Sequence, residues 1–182
     1  MRKLLQNIIN KLRGKQSLDK LISRGLTVGK NFKQMDGCII DPSHCWHIQI
    51  GDDVTLAPRV HILAHDASTK TFLGYTKVGN VKIGNRVFIG AGTIVLPGVI
   101  IGDDVVIGAG SVVSKSADSG FVYAGIPAKK ICSIEEYLEK EKKHMNSGNV
   151  FDESFTMRKE ITAEQKKILI DACDKNSKIY VE

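Results

Sequence analysis

The chain has 182 residues, enough for one domain with terminal extensions and a continuous buried core, and a formal net charge of +6 at pH 7. Its four cysteines show no CxxC spacing, which argues against a zinc ribbon or a disulfide framework and favours a reducing compartment. No segment has the character of a signal peptide or a membrane span, so we expect a cytoplasmic protein without membrane contact.

Much of the positive charge lies near the ends of the chain, and for that reason it does not predict a nucleic-acid partner. Residues 4–12 have one apolar and one basic helical face, and Ser17 can cap a second short helix that Gly25 would stop. We predict a helical cap over residues 1–25 that covers the open end of a sheet; a helix resting on an anionic membrane is the alternative interpretation.

A six-residue pattern begins faintly at Val28 and clearly at Ile50, but residues 37–47 interrupt it. This interruption, GCIIDPSHCWH, gathers polar side chains where the pattern calls for aliphatic ones. Such side chains are costly to bury unless several of them face a cleft. A second interruption, residues 67–80, predicts a loop extruded from one corner, and its length makes it a functional candidate.

Residues 83–118 repeat with a period of six that fits neither a helix nor an alternating strand. The first position of each block is aliphatic: Ile83, Ile89, Val95, Ile101, Ile107 and Val113. The fifth is small or β-branched: Val87, Thr93, Val99, Val105, Ser111 and Ala117. Glycine takes the second position in four blocks, where we expect it to turn the chain. Three blocks would close one triangular coil, so the pattern predicts an all-β solenoid.

The C-terminal segment of the chain, residues 132–182, predicts a helical extension. Ser133 and Glu136 form a potential capping box for a helix ending near Met145, and Thr162 and Gln165 for one reaching about Ala172. The solenoid domain itself is predicted to span residues 26–131.

The repeat, the histidine before the extruded loop and the AGIPAK ending, in this order, resemble the hexapeptide-repeat acyltransferases. The most similar branch contains the galactoside and maltose O-acetyltransferases and their relatives in capsule and lipopolysaccharide synthesis. The resemblance implies a left-handed parallel β-helix with short terminal helices, a homotrimer with active sites between subunits, and acetyl-CoA as donor. The handedness rests on the resemblance alone, because the general rule for parallel crossovers predicts the right-handed form.

Transfer of an acetyl group to a sugar hydroxyl requires a base that functions at neutral pH, and histidine is the favoured one. His65 directly precedes the extruded loop and matches the family's catalytic histidine. By analogy with relatives, Asp41 is the first choice for the group that orients its ring. His44 and Asp66 are alternatives for that role and, with Tyr75 and Lys77 of the loop, candidate contacts to the acceptor.

The donor site implied by the resemblance lies along a groove of the coil, where backbone amides would bind pantetheine and lysines the phosphates. The positions that match are Ala91, Ala109, Ser114, Lys115 and Lys129, with Lys130 adjacent to the last. Ala91 stands where some relatives have a serine that helps hold the oxyanion, which leaves only its backbone amide for that task.

Taken together, the sequence predicts an acetyl-CoA-dependent O-acetyltransferase that acts on a sugar hydroxyl of a glycoside or a surface-polysaccharide precursor, with no resident metal. Transfer to an amino sugar is one alternative. A zinc hydratase of the γ-carbonic anhydrase type, using three of the chain's five histidines, is another. A non-catalytic solenoid scaffold is the third.

Overall fold

The computed structural model describes residues 17–146 and 148–182, so the helix predicted within residues 4–12 lies outside the described residues. The described residues form two compact units, which divide between Ile134 and Glu135. The first unit begins with α1 (Leu18–Ile22), whose N-cap Ser17 accepts a hydrogen bond from the Lys20 amide, as the sequence predicts. Leu21 of this helix joins the buried core of the first unit.

The strands of the first unit are short. In chain order they are β1 (Thr27–Val28), β2 (Lys33–Gln34), β3 (Ile39–Ile40), β4 (Ile48–Ile50), β5 (Thr55–Leu56), β6 (His61–Ile62), β7 (His65–Asp66), β8 (Lys77–Val78), β9 (Val81–Ile83), β10 (Phe88–Ile89), β11 (Ile94–Val95), β12 (Ile100–Ile101), β13 (Val106–Ile107), β14 (Val112–Val113), β15 (Phe121–Ala124) and β16 (Lys129–Ser133). A 3-10 turn, Cys45–His47, follows β3, and α2 (Lys70–Leu73) lies between β7 and β8.

Three sheets form the walls of a solenoid. The first has the order β1-β4-β9-β12, the second β2-β5-β10-β13-β15-β16, and the third β3-β6-β11-β14. Neighbouring strands are parallel except for the terminal pair β15–β16. Where the repeat is regular, each coil takes 18 residues, so that Ile83 lies beside Ile101 and Asn85 beside Asp103. The solenoid predicted from the hexapeptide pattern is confirmed.

The core of the solenoid consists of the aliphatic and small positions of the repeat. All six first-position residues of residues 83–118 are buried, and so are all six fifth-position residues. Thr93 and Ser111, the two polar members, each bind the Gly108 carbonyl oxygen through their hydroxyl groups, so neither leaves a buried polar group unpaired. The first and fifth positions of each six-residue block therefore form the inward face of the solenoid.

The turns do not lie at the second-position glycines, contrary to the expectation from the sequence. Positive φ angles occur instead at the fourth position of the blocks, for example 54° at Arg86, 70° at Gly92 and 56° at Asp104. The second-position glycines allow adjacent coils to approach closely: a Cβ atom on Gly90 would lie 2.4 Å from the Ala109 nitrogen. Close stacking, not backbone freedom, explains glycine at that position.

The loop predicted at residues 67–80 is not irregular throughout. It contains α2, and it leaves and returns to the coil as the antiparallel pair β7–β8. After it, β9 resumes the first sheet directly beside β4, with Ile50 opposite Ile83. The insertion therefore does not disturb the register of the coils on either side.

Helix α3 (Ile134–His144) begins at the last residue of the first unit, and its remaining residues belong to the second. The second unit also contains β17 (Val150–Phe151), α4 (Ala163–Lys175) and β18 (Tyr180–Val181). Thr162 and Gln165 form the predicted capping box at the start of α4, which continues three residues beyond the predicted end. The parallel pair β17–β18 was not predicted. No helix in the described parts of the chain combines the length and apolarity that a membrane span requires.

Candidate active site

Two neighbouring strands of the third sheet place Asp41 beside His65. Asp41 follows β3 directly, and His65 begins β7 shortly after β6, the strand paired with β3. The Asp41 amide donates to the Ile62 carbonyl oxygen at 2.9 Å, and the Ala64 amide donates to Asp41 Oδ2 at 3.0 Å. The sheet register thus fixes the carboxylate relative to the backbone that carries His65.

Asp41 and His65 are joined by a hydrogen bond between Oδ2 and Nδ1. The Asp41 side chain is 1% exposed and that of His65 is 32% exposed. Because an ionised carboxylate only accepts hydrogen bonds, Nδ1 must be the protonated ring nitrogen. In the neutral ring this leaves a lone pair on Nε2, which is the nitrogen available to a substrate.

The Asp41 carboxylate is held in its ionised form by its surroundings. Burial raises the pKa of Asp41, but hydrogen bonds from His65 and from the Ser43 and Ala64 amides outweigh burial and lower it below the ordinary value of 3.8. Oδ1 accepts from the Ser43 amide at 3.0 Å and from the His44 amide at 3.2 Å. Four donors therefore surround one buried carboxylate, which is a well-satisfied site for a negative charge.

His44 lies against the ring of His65, with ring centroids 4.7 Å apart and an interplanar angle of 37°. Its Nδ1 atom is buried and makes no hydrogen bond within residues 17–146 and 148–182. The next histidine, His47, is bound differently, with Nδ1 2.7 Å from Asn80 Oδ1. The sequence predicted that several side chains of residues 37–47 face a cleft. It did not predict the contact between the His44 and His65 rings or the hydrogen bond between His47 and Asn80, because no local pattern signals either one.

Asp66 does not take the orienting position, because its partner is Lys77. The two residues are opposite each other in the β7–β8 pair, with Lys77 Nζ 2.6 Å from Asp66 Oδ2. The hydrogen bond with Lys77, helped by the backbone and side chain of Ser68, lowers the pKa of Asp66 to about 2. Tyr75 is exposed, and its carbonyl oxygen accepts a hydrogen bond from the Thr69 hydroxyl. The Asp66–Lys77 pair and the Tyr75 carbonyl thus make contacts within the loop, whereas the Tyr75 side chain remains exposed.

The five donor-site candidates occupy more than one corner of a single chain. Ala91 and Ala109 lie one coil apart on the turn between the second and third sheets, whereas Ser114 and Lys115 follow the last strand of the third sheet. Lys129 lies opposite Ala124 in the terminal antiparallel pair, and all five are exposed. Lys130 is engaged elsewhere: its ammonium is 2.9 Å from Asp118 and 3.7 Å from the centre of the Phe121 ring.

The corner that carries Ala91 and Ala109 differs from the corner between the first and second sheets. There, side-chain oxygens of Asp52, Asn85 and Asp103 each accept a hydrogen bond from the backbone amide of the coil below. Alanine has no such oxygen, and among the described residues the amides of Ala91 and Ala109 make no hydrogen bond. Two backbone donors on adjacent coils are consequently without a partner among the described residues.

Trp46 is a further residue that the sequence did not single out for the site. Trp46 as a whole is 53% exposed, and its ring lies 5.4 Å from the His44 ring, centroid to centroid. The backbone of the 3-10 turn Cys45–His47 supports it, and the buried Cys45 anchors that turn. The site therefore has an aromatic surface on the side of His44.

The chain is similar in sequence to known proteins. The family model described as bacterial transferase hexapeptide (six repeats) matches residues 80–115. Protein CapG of Staphylococcus aureus is 45% identical to this chain over 130 residues, which cover 68% of this chain and 75% of CapG.

Two solved structures are similar in both fold and sequence. A maltose O-acetyltransferase from Clostridium difficile 630 has a TM-score of 0.52 and 43% identity, covering 58% of this chain and 57% of that one. A galactoside acetyltransferase in complex with coenzyme A has a TM-score of 0.55 and 33% identity, covering 62% and 56%. The chain thus spans little more than half the length of either enzyme. The predicted left-handed parallel β-helix is confirmed.

Proposed function

This chain belongs to the hexapeptide-repeat acetyltransferase family, and we propose that it transfers the acetyl group of acetyl-CoA to a sugar hydroxyl with His65 as the general base. The observation that carries the proposal is the Asp41–His65 pair, in which the buried carboxylate holds Nδ1 and leaves Nε2 toward solvent. The similar maltose and galactoside enzymes support a sugar as acceptor. A glycoside or surface-polysaccharide precursor of the cytoplasm is the acceptor class we propose.

The reaction follows from the position of the free nitrogen. Nε2 of His65 takes the hydroxyl proton while the acceptor oxygen attacks the thioester carbonyl carbon. Collapse of the tetrahedral adduct breaks the carbon–sulfur bond, and the imidazolium returns its proton to the departing thiolate. The products are the acetyl ester and free coenzyme A, with no covalent enzyme intermediate. The ionised Asp41 stabilises the imidazolium between the two proton transfers.

The donor site would use the exposed corner of adjacent coils. The unbonded amides of Ala91 and Ala109 would bind the pantetheine arm, and one of them the developing oxyanion. Ser114, Lys115 and Lys129 would contact the remainder of coenzyme A, the lysines through its phosphates. The galactoside enzyme that resembles this chain was solved with coenzyme A, which supports the same donor here.

We propose that the active form is a homotrimer with sites between subunits. The donor candidates lie on separate corners of one chain, so a second subunit would bring one set to the other chain's His65. The extruded loop also leaves large apolar side chains at the surface, Phe72 among them with 85% exposure, together with Leu73 and Tyr75. Isolated loops rarely expose three such side chains in four residues unless a partner covers them.

The acceptor side would comprise His44, Trp46 and the loop residues Asp66, Tyr75 and Lys77. An exposed indole beside the base offers an apolar surface for the face of a sugar ring, and polar groups around it would bind the hydroxyls. This arrangement is better suited to a neutral glycoside than to a flexible hydrocarbon chain.

The test combines donor binding with one substitution. Calorimetric titration of the purified protein with acetyl-CoA should give about one site per subunit, and a sugar panel then identifies the acceptor. The variant His65→Ala should keep acetyl-CoA binding but lose transfer by about 100-fold or more, because it removes the base. His61→Ala, which removes a histidine outside the Asp41 cluster, serves as the control. Near-normal transfer by His65→Ala, or no binding of acetyl-CoA, would refute the proposal.

A further inference from the structure

We propose that Asp41, His44 and His65 also form a binding site for a divalent transition metal such as Zn²⁺, and that metal bound there blocks acetyl transfer. The inhibitory role rests on the function proposed above, whereas the metal site does not. No metal is needed for the reaction as derived from the Asp41–His65 pair. A metal ion bound there would therefore inhibit the reaction by coordinating the base.

The three side chains converge closely enough to share one ion. Each offers one ligand atom, and these three atoms lie within 4.8 Å of one another. In a tetrahedral zinc site with bonds of about 2.0 Å, ligand atoms are separated by about 3.3 Å. Asp41 and His65 are already joined by a hydrogen bond, and the His44 ring lies beside the His65 ring with centroids 4.7 Å apart, so the three side chains are neighbours before any ion binds.

His44 distinguishes this cluster from a simple pair in which a carboxylate orients a histidine ring. Its buried Nδ1 has no hydrogen-bond partner among the described residues, an unfavourable state for a buried ring nitrogen. Its backbone amide is bound to the other oxygen of the same Asp41 carboxylate, which fixes the main chain of His44 beside the cluster. A metal ion would give this nitrogen the partner that the described side chains do not provide.

The donor set selects the kind of metal. Two imidazole nitrogens and one carboxylate oxygen are typical ligands of Zn²⁺ and its neighbours in the first transition row, whereas Mg²⁺ and Ca²⁺ prefer oxygen alone. The partly exposed face of His65 leaves room for water as a fourth ligand. Within the described parts of the chain, this is the one group of three such residues with converging ligand atoms.

Metal binding and base catalysis exclude each other chemically. If the ion takes Nδ1 of His65, the ring proton moves to Nε2, and the lone pair that would accept the hydroxyl proton disappears. If it takes Nε2, it occupies that lone pair directly. No electron transfer or further reactant is involved in either case. The ion therefore acts as a reversible inhibitor that competes for the base.

Zinc binding to the intact chain tests the site without reference to activity. Calorimetric titration of metal-free protein with ZnCl₂ should show one tight site per chain, and MgCl₂ at the same concentration should show none. His44→Ala should weaken zinc binding at least tenfold, because it removes one of three protein ligands. His61→Ala should leave the affinity within about twofold, since His61 lies outside the cluster. Circular dichroism establishes that each variant is folded.

The outcomes separate the site from the function. Equal zinc affinity of wild-type protein and His44→Ala would put the metal elsewhere, for example on the exposed Cys173, and overturn the site. If His44→Ala does not fold, His65→Gln must show the same loss, or the site is refuted. In the transfer assay, zinc should inhibit and EDTA should restore activity; stimulation by zinc would overturn the inhibitory role. Absence of transfer in metal-free protein would refute the proposed function but not the zinc site.

Discussion

At the scale of single residues, the site depends on the full satisfaction of one buried carboxylate. Asp41 accepts hydrogen bonds from the backbone amides of Ser43, His44 and Ala64 in addition to its bond with His65. Three of these donors belong to the main chain and do not rotate, so the carboxylate has little freedom of orientation. The tautomer of His65 is consequently set by the backbone of the third sheet and the turn after β3.

Replacement of Asp41 by Asn should impair the chemical step more than donor binding. An amide still accepts hydrogen bonds at its oxygen, but it cannot accept at its nitrogen, and it carries no charge to stabilise the imidazolium. We expect kcat to fall about tenfold or more. The KM for acetyl-CoA should change little, and the pH profile of kcat should shift. Asp104→Asn, which affects an exposed ion pair with Arg86, is the control. A change in KM alone would contradict this role for Asp41.

Some features of this site could be predicted from the sequence, and others could not. His65 is conspicuous in the sequence because it adjoins a break in a regular repeat, whereas Asp41 is selected by analogy with relatives of the family that the chain resembles. The contact of His44 with His65 was not predictable, since it depends on the 3-10 turn Cys45–His47, whose geometry the repeat does not encode. The Asp66–Lys77 pair likewise needed the register of β7 and β8.

At the scale of elements, stability depends on how closely successive coils stack. A Cβ atom at Gly90 would be 2.4 Å from a backbone nitrogen of the next coil, which a side-chain rotation cannot relieve. We expect Gly90→Ala to lower the free energy of unfolding by about 1–3 kcal/mol, the usual range for overpacking. Chemical denaturation measures this directly.

Gly92→Ala is the matched comparison for that prediction. A Cβ atom there meets no atom within 4 Å, but the residue has a φ of +70°. Its cost should be limited to backbone strain, about 1 kcal/mol. A larger loss for Gly92→Ala than for Gly90→Ala would contradict the stacking interpretation.

The hexapeptide pattern predicted the inward residues correctly, but the prediction that the second-position glycines turn the chain was wrong. A glycine indicates either a positive φ angle or a close approach of another part of the backbone, and residue identity alone does not distinguish the two. Positive φ occurs at Arg86 and Asp104 as well as at glycines, so the turning position carries no single residue type. The parallel pair β17–β18 escaped prediction for a similar reason, because strands of two residues have too little periodicity to recognise.

At the scale of the whole molecule, several carboxylates are more acidic in the folded chain than in free peptides. Hydrogen bonds from Lys77 and Lys130 lower the pKa values of Asp66 and Asp118, and that of Asp41 is also below 3.8. A lowered pKa in the folded state means that the unfolded chain binds more protons in acid. Their contribution to stability is therefore complete about one pH unit above 3.8 and is lost as the pH falls through that value toward about 2.

We accordingly expect the free energy of unfolding, measured with urea, to be constant from neutral pH to about pH 5 and to decrease from there toward pH 2. The Asp41→Asn variant removes one of the groups and should show a shallower decrease. Stability that does not change between pH 5 and pH 2, or an equal slope in Asp41→Asn, would contradict the assignment.

The way the extruded loop joins the coil has a consequence for the divergence of such enzymes. Because β7 and β8 already bring its two ends together, and β9 returns to its place beside β4, the loop closes across a short fixed gap. The entropy of closing a flexible segment grows only with the logarithm of its length, by about 0.6 kcal/mol for each doubling. Insertions between Asp66 and Lys77 are thus thermodynamically inexpensive, and the proposed acceptor pocket can be remodelled while the proposed base and the coils below it stay unchanged.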